Sequence, residues 1–144
     1  MRIAEILRRK GSAVATVTPE TTVQSLLGTL AEHNIGAVVV SPDGSRIAGI
    51  VSERDVVRNL HRRGAALLDR PVAEIMTAAV RTCDPDDRVD GLRNIMTEHR
   101  IRHLPVVRDN RLVGIVSIGD VVKSAISELT FERQHLVEYV QGQY

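Results

Sequence analysis

The chain has 144 residues, 43% apolar and 26% charged, with 19 basic against 18 acidic residues and a formal net charge of +1. That balance fits one compact domain or two half-domains sharing a core; near-neutrality and only 2% aromatics argue against a phosphate-tracking or base-stacking nucleic-acid surface. The lone Cys83 excludes an internal disulfide and fits a reducing, cytoplasmic compartment, and no apolar run approaches the roughly 18 residues of a membrane span.

The first ten residues have the look of an amphipathic targeting segment. However, Ile3-Ala4-Glu5-Ile6-Leu7 reappears as Val72-Ala73-Glu74-Ile75-Met76, which favours a short structural helix used twice. Gly11-Ser12 is a turn, and a short strand follows around Val14 to Val17, ended by Pro19. Thr21-Thr22-Val23-Gln24 reads as a capping box with Thr21 as N-cap. Val23, Leu26, Leu27 and Leu30 form one face of the helix behind it, and His33-Asn34 ends that helix. Ile35 to Val40 is a buried strand by its β-branched content. Ser41 to Ser45 is a turn, and Ile47 to Val51 is the returning strand of a hairpin. Ser52 then caps a helix through about Leu60. His61 to Arg70, with the Arg62-Arg63 pair, reads as a solvated linker, and Pro71 opens the next short helix.

The second half repeats the course. A strand is expected around Val80 to Thr82, ending at Asp84-Pro85. Asp87 takes the N-cap place of Thr21, and Val89, Leu92, Ile95 and Met96 make the apolar helix face, weakened at Gly91 by roughly 1 kcal/mol. Ile101 to Val107 is the strand, Arg108 to Arg111 the turn, and Leu112 to Val116 the return. The offset between halves is 66 before the hairpin turn and 65 after it, so the second loop is one residue shorter. The last helix begins near Ser117 and extends to about Val140. Val122, Leu129 and Leu136 recur every seven residues, a stripe suited either to a partner subunit or to folding back on its own domain.

Two stretches carry the chemistry. Gly49-Ile50-Val51-Ser52-Glu53-Arg54-Asp55 and Gly114-Ile115-Val116-Ser117-Ile118-Gly119-Asp120 both read Gly-Ile-Val-Ser-x-x-Asp, 65 positions apart. Each is a strand running into a helix N-terminus, where outward N–H groups can receive an anion. Ser followed by Asp three places on is also an N-capping pattern. Capping alone does not require Gly49 and Gly114, which are better explained if something approaches the backbone closely. A carboxylate such as Asp55 or Asp120 suits a diol, because it accepts two hydrogen bonds from it. Arg54 is a phosphate-binding candidate or a surface charge; Gly119 stands in its place in the second copy. Arg102 and His103 interrupt an otherwise apolar strand, and alternation points them to opposite faces. One is expected in a cleft, as an Arg fork or a protonated imidazole on phosphate. The other faces a helix layer or solvent, or pairs with a carboxylate. Arg100 reads as a surface charge at a helix end. His99 and His103 do not share a helix face, so no metal site is expected. Cys83 has no base partner to make a nucleophile, and no P-loop or GxGxxG is present.

Two β-α-β-β-α repeats, each ending Gly-h-h-Ser-x-x-Asp, resemble a tandem pair of cystathionine β-synthase (CBS) domains, a Bateman module. His99-Arg100-Ile101-Arg102-His103-Leu104-Pro105-Val106 is similar to the basic-basic-Leu-Pro-Val strand of such domains, whereas Ile35-Gly36-Ala37-Val38-Val39 has neither the basic residue nor the proline. The resemblance covers residues 1 to about 125. It implies an α/β (α+β) fold: repeat 1 over 1–61, a linker over 62–70, repeat 2 over 71–125, and a helical extension over 126–144. The repeats would be related by a pseudo-twofold axis that forms two clefts.

The resemblance further implies adenine-nucleotide binding, with AMP, ATP or NAD(H) as ligand and no required cofactor. Ser52, Asp55, Ser117 and Asp120 would hold ribose, and Arg54, Arg102 and His103 phosphate. Thr16, Val17, Ala37, Val38, Thr82, Leu104 and Pro105 would flank the base. A non-enzymatic, stand-alone sensor is expected, one that dimerises through CBS-pair packing and is read by an unidentified regulated protein. The alternative is an interaction scaffold with vestigial clefts, working through its C-terminal helix. If phosphate contacts cross between repeats, the two clefts differ in affinity or ligand.

Overall fold

Both Gly-Ile-Val-Ser stretches end the return strand of a hairpin, and both run directly into a helix. The computed structural model describes residues 1–142; Gln143 and Tyr144, the end of the expected 126–144 extension, lie outside the described residues. In chain order the elements are α1 (Ile3–Lys10), β1 (Thr16–Val17), α2 (Val23–His33), β2 (Ala37–Val40), β3 (Gly49–Ser52) and α3 (Glu53–Arg63). Two 3-10 segments follow, Gly64–Asp69 and Val72–Glu74, then α4 (Val89–His99), β4 (His103–Arg108), β5 (Arg111–Ser117) and α5 (Ile118–Val140).

The first hairpin pairs Ala37 with Ser52 through Val40 with Gly49, and β1 adds in parallel to give a three-stranded sheet β1-β2-β3. The second pairs His103 with Ser117 through Arg108 with Arg111, with an irregularity at Val106/Val107. Asp109 and Asn110 both take positive φ (53° and 62°), which lets two residues turn this hairpin in step with strand twist. The strand expected around Val80 to Thr82 does not form. Its place is held by one parallel bridge from Cys83 to Val106, because Ala79, Val80 and Arg81 leave the sheet to line a cleft.

The helix ends follow local chemistry, with one shift. The N-cap of α2 is Thr22, whose hydroxyl accepts from the Ser25 N–H at 3.1 Å. Thr21 instead closes the preceding turn, accepting from the Thr18 N–H at 3.1 Å, and Asp87 does the same for the Asp84 N–H at 2.8 Å. The two positions are equivalent, as the offset predicts, but neither caps a helix. Asn34 and Arg100 end α2 and α4 in the left-handed region, at φ 51° and 53°.

The repeats exchange their opening segments. Ile3, Ile6 and Leu7 are buried with Val89, Leu92, Met96, Leu104, Val106 and Val116 of the second repeat. Val72 and Ile75 are buried with Val23, Leu26, Val38, Val40 and Val51 of the first. Backbone bonds fix the exchange in matched pairs. The Ala4 N–H donates to Pro85 O (2.8 Å) and the Ala73 N–H to Pro19 O (3.1 Å); the Ile3 N–H donates to Asp87 O (3.0 Å) and the Val72 N–H to Thr21 O (2.8 Å). Each fully buried aliphatic side chain so exchanged contributes about 1.5–3 kcal/mol of burial. Ile3, Ile6 and Leu7 near the start of the chain are therefore core structure.

This exchange explains the two motif glycines. A Cβ at Gly49 would lie 2.8 Å from the Thr77 carbonyl oxygen and 2.7 Å from Met76 Sδ. One at Gly114 would lie 2.6 Å from Leu7 Cδ2. The close approach expected from the sequence is real, but the visitor is the chain's own exchanged segment and not a ligand. Within 62–70, α3 runs to Arg63 and Leu67 of the 3-10 segment is fully buried, while most of the other residues are exposed. Arg70 and Arg63 then clamp Glu74 at 2.7 Å and 3.3 Å. The Arg70 hydrogen bond, with help from Arg63, holds the Glu74 carboxyl at a pKa of about 2.

Candidate functional site

The motif residues Ser52 and Asp55 form a reciprocal cap at the start of α3. Ser52 Oγ accepts from the Asp55 N–H at 3.3 Å, while Asp55 Oδ2 accepts from the Ser52 N–H at 2.9 Å and its Oγ–H at 3.1 Å. Ser117 and Asp120 repeat this at α5, with distances of 3.2, 2.9 and 3.1 Å. Capping is thus real in both copies. It engages only Oδ2 of Asp55, whose Oδ1 takes part in no hydrogen bond among the described residues. Each helix start is docked on the strand of its own repeat, the Glu53 N–H on Gly36 O (2.9 Å) and the Ile118 N–H on Arg102 O (2.8 Å).

The first motif copy faces an open cleft of about 910 Å³ that spans the two repeats. One wall is Gly36, Ala37, Ile50 and Ser52 to Asp55, continuing to Val57 and Arg58 along α3. The facing wall is Thr77, Ala79 to Arg81, and His99 to His103. Five arginines line it: Arg54, Arg58, Arg81, Arg100 and Arg102. None of the five forms a salt bridge among the described residues. Glu53 and Asp55 are the carboxylates beside them. The volume lies in the range of small-molecule sites, and the uncompensated guanidinium charge suits an anion.

Arg102 and His103 both line this cleft, against the alternation expected of them. The strand starts only at His103, so Arg102 precedes the pleat and is free to turn the same way. Burial, then Arg102 and Lys10, holds the His103 imidazole below its ordinary range, although Asp120 and Glu53 pull the other way. His103 thus lies among charges from both motif copies and holds a proton less readily than a free imidazole. Arg100 is not a plain surface charge: its left-handed cap position places it on the cleft wall.

Of the residues expected to flank a base, only Ala37 lines the cleft. Val17, Val38 and Leu104 are buried in the two cores, Pro105 is buried, Thr16 lies on β1 beside Val39, and Thr82 is exposed. The apolar part of the cleft is Ala37, Ile50, Val57, Ala79, Val80 and Ile101 instead. Arg58 and Arg81 carried a usable signal. Arg58 is one helical turn beyond Arg54, and Arg81 precedes the Thr82 that pairs with Thr16 by offset.

The second motif copy is differently placed. Asp120 and Ser117 do not line the large cleft. Lys10 Nζ donates to Asp120 Oδ2 at 2.7 Å and to Ile115 O at 2.9 Å. Burial alone would raise the Asp120 carboxyl, but Lys10 and the Ser117 N–H together hold it below the usual carboxylate range. A pocket of about 110 Å³ lies beside Asp120, between α1 and α5.

Comparison with known proteins matches the two-repeat architecture. The CBS domain model matches twice, over residues 3–62 and 72–127. This chain belongs to the CBS domain family. Among its relatives is the mitochondrial CBS domain-containing protein CBSX3 of Arabidopsis thaliana, 35% identical, covering 99% of this chain and 73% of the relative. The crystal structure of the CBS-domain containing protein ATU1752 from Agrobacterium tumefaciens superposes with a TM-score of 0.83. It is 44% identical and covers 87% of this chain and 99% of its own. The CBS domain protein PAE2072 from Pyrobaculum aerophilum, solved in complex with AMP, has a TM-score of 0.74. It is 32% identical and covers 83% of this chain and 89% of its own.

The CBS pair carries two further features. Cys83 is buried, and desolvation, then Asp87 and Asp84, pushes its thiol up to about 12, so it offers no thiolate at neutral pH. Among the described residues no group of three His, Cys, Asp or Glu could hold a metal ion, and no helix is long and apolar enough to cross a membrane.

Proposed function

We propose that this CBS pair is a regulatory module that binds an adenine nucleotide in the first cleft, between the repeats. The observation that carries the reading is the set of five unpaired arginines facing a motif carboxylate with a free oxygen. The ribose diol would sit on Asp55 Oδ1 beside Ser52. The phosphates would lie among Arg54, Arg58, Arg81, Arg100 and Arg102. The base would lie against Ala37, Ile50, Val80 and Ile101. The AMP complex of the Pyrobaculum relative supports the ligand class; ATP and NAD(H) extend it by further phosphate in a basic cleft. The same charge disfavours S-adenosyl-L-methionine, whose sulfonium would meet arginine. Ligand binding joins the two walls, one from each repeat. Its signal is therefore a change in their relative pose, bounded by its differential affinity for the two poses, which a regulated protein would read.

Isothermal titration with AMP, ATP, NADH and S-adenosyl-L-methionine tests this. The phosphate-bearing ligands should bind, and more tightly than the sulfonium. No binding at millimolar concentration overturns the reading. Asp55→Asn should weaken AMP roughly tenfold to hundredfold, the loss of about 1.5–3 kcal/mol for a charged hydrogen bond. Unchanged affinity would overturn the choice of cleft.

A second reading rests on its own observation. α5 does not fold its apolar stripe back: Val122, Ile126, Leu129, Leu136 and Val140 are 50–83% exposed. The seven-residue spacing of Val122, Leu129 and Leu136 suits self-pairing, so the occupant is a second copy of this chain. Val57, in the matching position on α3, is also exposed and extends the same interface. Removing the chain after Lys123 should yield a monomer that still binds AMP; lost AMP binding with retained dimers would reverse these assignments.

A further inference from the structure

More than half of α5 stands clear of the rest of the chain. Its start is packed home, with Val121 and Ser124 buried. From Ile126 to Val140 every side chain is exposed except that of Glu138, which is half-buried. A free helix of about 15 residues is marginal in water, and this one leaves Ile126, Leu129, Leu136 and Val140 uncovered. The pattern of the stripe says what kind of cover fits. Val122, Leu129 and Leu136 recur at one heptad position, and Ile126, Arg133 and Val140 recur at the other. Those are the six seats of a two-helix seam, and one of them holds a cation.

Arg133 decides the direction. Its neighbours three and four places away on α5 are Leu129, Thr130, Leu136 and Val137, so its own helix brings no carboxylate beside it. Nor does it form a salt bridge among the described residues. In a parallel pair equal positions meet, and Arg133 would face the partner's Arg133 in the middle of the apolar seam. An antiparallel pair avoids this. Val122 then faces the partner's Val140, Ile126 the partner's Leu136, and Leu129 the partner's Arg133, with the reverse contacts following by symmetry. No other antiparallel register fills all six seats. Each Arg133 lays its apolar stem on the partner's Leu129, and the two guanidinium groups are staggered by four residues, about 6 Å along the seam. The partner's Glu132 is staggered from Arg133 by only three residues, about 4.5 Å, and supplies the opposite charge.

We infer that two copies of this chain pair α5 against α5 in antiparallel fashion, overlapping from Val122 to Val140 and crossing midway between Leu129 and Arg133. This rests on the reading of α5 as a self-pairing helix and adds its direction and register. The seam begins just past the Ser117–Asp120 cap that starts α5. The far end of each helix, at Val140, therefore lies against the partner's Val122, close to the partner's second motif copy. A parallel pair would bring the two far ends to each other instead.

Disulfide mapping on the full chain is the test, with light scattering on the wild type to give its mass. The native Cys83 is buried and does not compete. Ile126 and Leu136 are exposed, so Ile126→Cys and Leu136→Cys should spare the fold, which circular dichroism checks. Under mild oxidation the double variant Ile126→Cys/Leu136→Cys should run as a covalent dimer. Each single variant should not, because its like position on the partner is ten residues away along the seam, about 15 Å, against the roughly 4.4–6.8 Å between Cα atoms that a disulfide spans. A covalent dimer from Ile126→Cys alone overturns the antiparallel direction and leaves self-pairing standing. A wild-type dimer whose single and double variants all fail to cross-link overturns α5 as the seam. A monomeric wild type overturns self-pairing and the inference together.

Discussion

Around Asp55 the chain places arginine after arginine; around Asp120 the pseudo-symmetric positions are almost all neutral. Arg81 matches Ala15, Arg100 matches Asn34, Arg102 matches Gly36 and Arg54 matches Gly119, with only Arg58 and Lys123 keeping the same sign. The motif caps and the docking of the exchanged segments show no such divergence. Both motif caps have the same three bonds within 0.1 Å, and the exchanged segments dock through matched pairs. Duplication has therefore been kept where packing demands it, in glycine, capping serine and buried aliphatics. It has been abandoned in the charged layer that a ligand would touch. A backbone bond lost in one repeat would leave a buried polar group unpaired, whereas a cleft charge can change without harm to folding.

The largest effect should come from breaking the exchange. Ile3 is fully buried in the second core although it lies at the start of the chain. Ile3→Ala should cost about 2–5 kcal/mol in urea unfolding. A cost under 1 kcal/mol would mean that α1 is not part of that core. Because α1 also carries Lys10, this variant should loosen the second half-site together with the fold, which ties the two asymmetries to one helix.

A smaller effect separates the two glycines. Gly49 meets a backbone carbonyl, that of Thr77, and backbone cannot step aside. Gly114 meets the methyl ends of Leu7, which can turn. Gly49→Ala should therefore cost about 1–3 kcal/mol, and Gly114→Ala less, in paired melts. Equal costs would show that Leu7 is held as rigidly as main chain.

The motif pair, the shift of offset at the hairpin loop, and both capping boxes could be read directly from residues, because each is a local pattern that recurs. The α5 boundary was legible for the same reason, as Ser117 caps it. The exchange was not. The kinship of Ile3–Leu7 with Val72–Met76 is visible in the sequence, but nothing there says that each packs into the other's core. Val17, Val38 and Leu104, expected to flank a base, lie in the two cores, because apolar strand residues fit a core and a pocket wall equally well. Arg58, Arg81 and Arg100 entered the cleft only once the pseudo-twofold brought the start of one repeat against the helix of the other. Lys10 on Asp120 is a contact across 110 residues that no spacing rule encodes.

The subtlest difference between the half-sites is protonic, and it turns on His103, whose charge environment includes Lys10 and Asp120 of one half-site and Glu53 of the other. Burial, then Arg102 and Lys10, lowers its pKa from the ordinary 6.5. Without ligand, the unfolded chain binds this proton more readily than the folded one. Stability should thus fall as pH drops through about 6.5, and level off below the lowered native value. A phosphate in the first cleft reverses the local field and favours the imidazolium, so binding takes up a proton and affinity should rise as pH falls. The two slopes have opposite signs and one origin. AMP's own phosphate also titrates near pH 6, so the comparison is wild type against His103→Gln at each pH, in which that ionisation is common to both. The wild type should gain no more than about tenfold in relative affinity between pH 8 and pH 5.5, and should lose stability relative to the variant over the same span. An affinity ratio that stays flat while the stability slope disappears in His103→Gln would place His103 in the cleft wall but away from the phosphates.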